Sequence, residues 1–214
     1  MIVLGLDTCL NACSAAVLDG DRVLAHAREV MARGHQERLA PMVQAVMAEA
    51  GLPFSRLQRI AATVGPGSFT GLRVGVAFAK GLATALGAET APVGSLEALA
   101  AEAEGLVAAV LDARRDQVYV QVFDGGRALT PPEVQPVTVA AERLAAQARG
   151  RTPTLVGSGA ALLAGVVPGA TILAAEGCDA RKVAALAATR PAAALTPLYL
   201  RAPDAKLPGG RTPE

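Results

Sequence analysis

The chain opens the same kind of unit twice. Ile2–Asp7 is an apolar run that ends in an aspartate and is answered by a second strand pattern at Cys13–Leu18. Downstream, Leu106–Asp112 again runs apolar into an aspartate, and Gln117–Phe123 answers it, with Val118, Val120 and Val122 alternating against Tyr119, Gln121 and Phe123. Period-two alternation marks half-buried strands, and the Asp19-Gly20 and Asp124-Gly125-Gly126 steps that follow are turn signals. A repeated strand-and-hairpin opening implies an α/β chain of two lobes built on one plan.

The first copy is the fuller. Arg22–Val30 reads as a third strand. From His35 to Ala50, Leu39, Met42, Val43, Val46 and Met47 recur at helical spacing, and Gly51 with Pro53 ends that helix. Strand Ile60–Val64, a helix over Thr70–Leu86 ended by Gly87, strand Thr90–Val93 and a short helix capped by Ser95 complete a mixed-sheet lobe over residues 1–104. The second lobe, 105–200, is shorter. Its helices are expected at Val139–Ala148, Gly159–Ala164 and Asp179–Thr189, and its short strands at Thr154–Val156 and Thr171–Leu173. Residues 201–214 hold too few apolar side chains to pack, so a flexible tail is expected there.

Composition narrows the class. Of 214 residues, 52% are hydrophobic and 18% charged, which builds a large core and excludes a disordered chain. Twenty basic residues against 19 acidic leave a net charge of +1, and there is no Trp, so neither a strong field nor stacking platforms draw the chain to nucleic acid unaided. Cys9, Cys13 and Cys178 are odd in number and match no zinc spacing, which points to reduced thiols. The opening MIVLGLD lacks a basic leader region, and the longest uncharged run, Thr152 to Ala175, is broken by Pro and Gly. A soluble cytoplasmic protein with no membrane span is the expectation.

Residues 65–75 read GPGSFTGLRVG, between the fourth strand and the second long helix. Gly65, Pro66 and Gly67 force a tight turn, and Ser68 or Thr70 is placed to cap the helix. The pattern lacks the G-x-x-x-x-G-K-[ST] of a phosphate-binding P-loop and carries Phe69 and Leu72 where polar groups are needed. On its own chemistry it is an ordered strand-to-helix turn.

That string, with LDT at 6–8, ACSAAVL at 12–18, HQERLAPMV at 35–43 and LDARRDQVY at 111–119, resembles the TsaB family of the actin/hexokinase/Hsp70-like (ASKHA) superfamily. The resemblance covers residues 1 to about 201 and implies a two-lobed fold of mixed sheets flanked by helices. It further implies a subunit of the bacterial complex that forms N6-threonylcarbamoyladenosine beside the tRNA anticodon. In such a complex the chain would be a non-catalytic scaffold that binds and activates a TsaD-like transferase. A TsaE-like ATPase and tRNA would be reached through the complex. TsaD relatives carry VxHxEGH, whereas Val93-Gly94-Ser95-Leu96-Glu97-Ala98-Leu99 puts Ser95 and Leu99 where imidazoles would hold iron or zinc. No metal and no catalytic residue is therefore expected, and His26 and His35 stand on different elements.

In the superfamily the hairpin of each lobe holds phosphates. Asp7, Thr8 and Asp112 match those places, and Gly157 and Gly159, flanking Ser158, resemble the loop that would hold adenosine. Arg114 and Arg115 stand where a glycine normally lets phosphate approach. Two readings stay open: a vestigial nucleotide cleft, or a regulatory ATP or ADP site at an interface shared with a partner. The Thr70–Leu86 helix has a surplus of apolar surface, with one stripe through Leu72, Val76, Ala79, Ala83 and Leu86 and another through Val74, Phe78, Gly81 and Ala85. Either the second lobe covers it, or it marks a partner interface. The residues expected at that interface are His35, Leu39, Met42, Phe69, Thr70, Arg73, Val74 and Phe78, with a homodimer formed when the chain is alone. Two other classes remain: a glycoprotease-like peptidase, and a small-molecule kinase of the same superfamily.

Overall fold

A computed structural model describes residues 1–201. The first sheet is built from β1 (Ile2–Leu10), β2 (Ala12–Asp19), β3 (Arg22–Val30), β4 (Arg59–Thr63) and β5 (Glu89–Val93), in the order β3-β2-β1-β4-β5. β1 to β3 run antiparallel, and β4 and β5 join β1 in parallel. Helices α1 (His35–Glu49), α2 (Phe69–Leu86) and α3 (Ser95–Ala100) fall between and after these strands. The second sheet repeats the plan. β6 (Leu106–Arg114) and β7 (Gln117–Asp124) form the antiparallel hairpin, and β10 (Thr154–Val156) and β11 (Thr171–Leu173) extend it in parallel. Two short strands, β8 (Arg127–Ala128) and β9 (Glu133–Pro136), both pair with β7. They escape sequence reading because two to four residues hold too little alternation. Helices α4 (Val137–Ala148), α5 (Ala160–Ala164) and α6 (Ala180–Ala188) complete the chain order.

Three cores follow from this layering. One lies between the first sheet and α1 with α2, where Leu39, Met42, Leu72 and Val76 meet Leu4, Leu6 and Ile60. Another lies between the second sheet and α4 with α5, around Leu144, Leu155 and Leu163. The third is shared by both sheets and holds Leu96 and Leu99 of α3 with Val183, Ala184 and Ala187 of α6.

The middle layer corrects the expected division at residues 105–200. Helix α6 packs on β1, β2 and β4 of the first sheet, although it follows the second, while α3 packs on β6 and β7. Leu195 also returns to the first core. The close seat of α6 requires Gly5, since a Cβ there would overlap the Ala180 carbonyl. Arg59, 7% exposed, then fastens the end of α6 by donating to the carbonyls of Ala187 and Arg190 while pairing with Glu89. Sequence reading missed this exchange because a helix pattern reveals which face is apolar, not which sheet receives it.

Two caps settle differently from each other. Ser68 is the N-cap of α2 and accepts the Gly71 N–H at 3.3 Å. Ser95 is not a cap: Gly94 holds that position, and the Ser95 hydroxyl is buried without a partner in the described protein. The tail expected over 201–214 lies, beyond Arg201, outside the described residues.

Candidate functional site

At the first hairpin the carboxylate is turned inward. Asp7 is 1% exposed; its Oδ1 accepts from the Thr63 hydroxyl at 2.6 Å and the Cys9 N–H at 3.1 Å, and its Oδ2 accepts from the Cys178 N–H at 3.0 Å. Burial raises its pKa, against those three hydrogen bonds, which favour the ionised form. Thr8 is equally buried and donates its hydroxyl to the Gly71 carbonyl at 2.7 Å. Cys9 accepts the Ser68 N–H on its carbonyl at 2.7 Å. The glycines of residues 65–75 explain this contact, since a Cβ at Gly67 would overlap the Cys9 carbonyl and one at Gly71 the Thr8 carbonyl. A Cβ at Gly75 would overlap the Thr8 hydroxyl. The signature string is therefore a packing device that presses α2 onto the bulged end of β1, where the register shifts between Asp7 and Leu10. Asp7 and Thr8, expected at a nucleotide cleft that is either vestigial or regulatory, are buried away from it, and neither lines the cleft.

The second hairpin is open. Arg114, Arg115 and Asp116 all take left-handed backbone, with φ of 63°, 55° and 55°. Asp112 closes the turn, accepting the Arg114 N–H at 2.7 Å and pairing with its guanidinium at 3.2 Å, while its own N–H donates to Ser158. Gly157 and Gly159 serve close packing, because a Cβ at either would overlap the backbone of β6. Ser158, between them, faces the cleft with Asp112 and Arg114.

Between the lobes lies a cleft of about 750 Å³ that reaches from Cys9 and Asn11 to Asp112 and Tyr119. The segment after Leu195 crosses its mouth. The Leu198 N–H donates to the Val64 carbonyl at 2.7 Å, and the Tyr199 ring lies 5.5 Å from Phe69. The Arg73 guanidinium sits 3.8 Å above the Phe69 ring and donates to the Tyr199 hydroxyl. Arg201 reaches the other lobe, donating to the Ala113 carbonyl and to Gln117. This strap is the site element that sequence reading missed; Leu195, Leu198 and Leu200 were the apolar signal that the chain still packs there.

No nucleophile stands ready in the described residues. Burial pushes the Cys9 thiol up to about 12, helped by the charge of Asp7, and pushes Cys13 to about 11 and Cys178 well above its usual range. His35 holds the Leu10 carbonyl through Nε2 at 3.1 Å, and His26 lies 3.4 Å from Asp179. Neither imidazole bonds to a serine or cysteine among the described residues.

The expected interface residues divide. His35, Leu39 and Met42 are 8%, 1% and 2% exposed and belong to the interior, which corrects their assignment to a partner surface. Phe69 is 42% exposed, Thr70 and Arg73 are exposed, and Val74 and Phe78 are half-buried at the edge of the first core. Helix α2 packs on β1, β4, β5 and α1, so the alternative that the second lobe covers it does not hold. Ala77, Gly81 and Ala85 on its outer side are exposed. Among the described residues α2 is also the one helix long and apolar enough to cross a membrane, yet its inner stripe is built into a protein core.

A family model described as TsaD, tRNA N6-adenosine threonylcarbamoyltransferase, matches residues 27–148. The tRNA threonylcarbamoyladenosine biosynthesis protein TsaB of Haemophilus influenzae is 39% identical over 126 residues, 56% of this chain and 52% of that protein, so the match spans about half of that relative's length. YeaZ from Pseudomonas aeruginosa superposes with a TM-score of 0.80 at 32% identity, covering 93% of this chain and 99% of YeaZ. The ROK hexokinase from Thermus thermophilus, at TM-score 0.50 and 18% identity, shares the ASKHA fold alone. With the family model over more than half of its length and the YeaZ likeness over nearly all of it, this chain belongs to the TsaD-related family of the ASKHA fold and stands among its TsaB, or YeaZ, members.

Proposed function

We propose that this chain is a non-catalytic scaffold subunit for the formation of N6-threonylcarbamoyladenosine in tRNA, docking on a TsaD-type transferase. One observation carries the reading: α2 is pressed into the first hairpin. That contact spends the Thr8 hydroxyl on Gly71, while Thr63, Cys9 and Cys178 occupy the Asp7 carboxylate, and the outer side of α2 is left uncovered. A helix apolar on both sides normally buries both. The position of Ser95 and Leu99, both fully buried, at the expected metal places agrees with the same role. In this reading the chain alone forms a homodimer through the surface the transferase uses, and the two assemblies compete. A TsaE-type ATPase and tRNA are met through the complex, in the cytoplasm. The isolated chain binds tRNA weakly, since a net charge of +1 supplies few phosphate contacts. The interlobe cleft is vestigial for nucleotide, because the first hairpin is filled by protein.

The test is reconstitution with a TsaD-type transferase and tRNA. Ala77→Glu places a charge on the exposed outer side of α2, with Val74→Glu and Phe78→Glu at its edge. An unpaired charge desolvated in an interface lowers affinity by about 100-fold or more. Folded Ala77→Glu protein is expected to lose both the complex and the modification. A folded variant that still assembles and supports modification removes α2 from the interface. About one tightly held iron or zinc per isolated chain overturns the non-catalytic reading.

A further inference from the structure

The chain holds only four Phe and two Tyr, and two of these rings stand exposed. They are Phe69, 42% exposed at the start of α2, and Tyr199, 45% exposed on the strap. The other four rings are half-buried or buried. Far apart in sequence, the two exposed rings are neighbours, with centroids 5.5 Å apart. Arg73 joins them: its guanidinium lies 3.8 Å above the Phe69 ring, and its Nε donates to the Tyr199 hydroxyl at 3.3 Å. Phe69, Arg73 and Ala77 follow one another at intervals of four, which puts them in one row along α2. All three are exposed, so the cluster is continuous with the side of α2 that the fold leaves uncovered.

Such a cluster gains from being covered. A cation–π contact is weak in water and strengthens once the ring and the guanidinium are desolvated. Aromatic and arginine side chains supply most anchors of protein interfaces, because a ring buries much area for few rotatable bonds. Tyr199 is also confined from both ends. Before it, the Leu198 N–H bonds to the Val64 carbonyl at 2.7 Å; after it, Arg201 bonds to the Ala113 carbonyl at 2.7 Å and to Gln117. A side chain on a confined segment loses less freedom on association. We infer that Tyr199, with Phe69 and Arg73, is an anchor by which a TsaD-type transferase holds this chain, and that Arg201 is a positioning residue for it. The inference rests on the scaffold reading and adds the strap to the α2 surface. The complementary surface on the transferase is an apolar hollow for the two rings, bordered by a carboxylate for Arg73.

Isothermal titration of a TsaD-type transferase with the whole chain, dilute enough to be monomeric, tests this. Tyr199→Ala is expected to weaken binding about tenfold or more. Tyr199→Phe keeps the ring and is expected to cost about threefold at most. Arg201→Gln is expected to weaken binding of the unaltered chain yet to add nothing in the Tyr199→Ala background, a coupling that lost stability alone would not produce. Circular dichroism checks the fold of each variant. Folded Tyr199→Ala protein that binds as the unaltered chain does overturns the inference, and additive effects of the Arg201 and Tyr199 changes overturn the positioning role. Ala77→Glu separates this failure from that of the scaffold reading. If Ala77→Glu abolishes binding and Tyr199→Ala does not, only the strap leaves the interface; if folded Ala77→Glu binds normally, both readings fall. Should Tyr199→Ala not fold, Tyr199→Gln takes its place under the same criterion.

Discussion

At the end of β1 the aspartate is 1% exposed and takes three hydrogen bonds from β1, β4 and the segment entering α6; at the end of β6 its counterpart has a side chain 31% exposed and bonds to its own turn. Both hairpins descend from the same local pattern, an apolar strand that stops at Asp. One has become a joint of the core and the other remains a rim. The difference lies in what arrives from elsewhere in the chain. A glycine-faced helix seals the first hairpin, whereas the second is met at its Asp112 side by the Gly157-Ser158-Gly159 turn and the strap, and at its Asp116 side by the start of α4. A shared motif thus predicts shared local geometry but not shared chemistry, because access depends on contacts far away in sequence.

Five variants test that contrast. Gly71→Ala has the largest expected effect, because its Cβ would overlap the Thr8 carbonyl on a strand that cannot retreat. A loss of about 3 kcal/mol or more in urea unfolding is expected. Gly81→Ala, on the open side of the same helix with nothing within 4 Å, is expected to gain about 0.5–1 kcal/mol. Equal effects from the two would break the claim that the glycines seat α2.

Asp7→Asn comes next, at about 2–3 kcal/mol, because it unpairs buried donors; Asp112→Asn is expected within about 0.5 kcal/mol. The Asp7 loss also has a pH signature. Burial holds the folded-state pKa above the unfolded value near 3.8, so the folded chain binds this proton more tightly. That contribution is complete below the unfolded value and is lost as pH rises through the folded value. The stability gap between the unaltered chain and Asp7→Asn is therefore expected to narrow from about pH 4 upward in urea titrations. A gap that widens instead would mean the hydrogen bonds outweigh burial.

A modest gain belongs to Arg114→Gly. It relieves a left-handed residue at φ 63° and removes one exposed ion pair, so a gain of up to about 1 kcal/mol is expected in the same assay. A clear loss would show that the arginine supports the turn through more than its backbone.

Much of this was legible in the sequence. Period two and period 3.6 placed the main strands and the long helices, and Ser68 and Gly87 framed α2 as their chemistry predicts. The site was less legible. Gly71 and Thr8 are 63 residues apart, and nothing in either neighbourhood names the other. Leu39 and Met42 show the opposite failure: their helical spacing was read correctly, but a regular apolar stripe marks what the core takes, so those residues could not also face a partner. The exchange of α3 and α6 was invisible because both are short, alanine-rich and apolar enough to fit either sheet.

The strap from Leu198 to Arg201 bears on association thermodynamics. Two-lobed proteins that work by closing must lose interlobe freedom when they bind, and that ordering entropy subtracts from affinity. Here Tyr199 is held on one lobe and Arg201 on the other, with a single residue between them. The relative orientation of the lobes is thus restrained before any encounter. The entropy of joining the lobes has been spent during folding and is not charged to any later association.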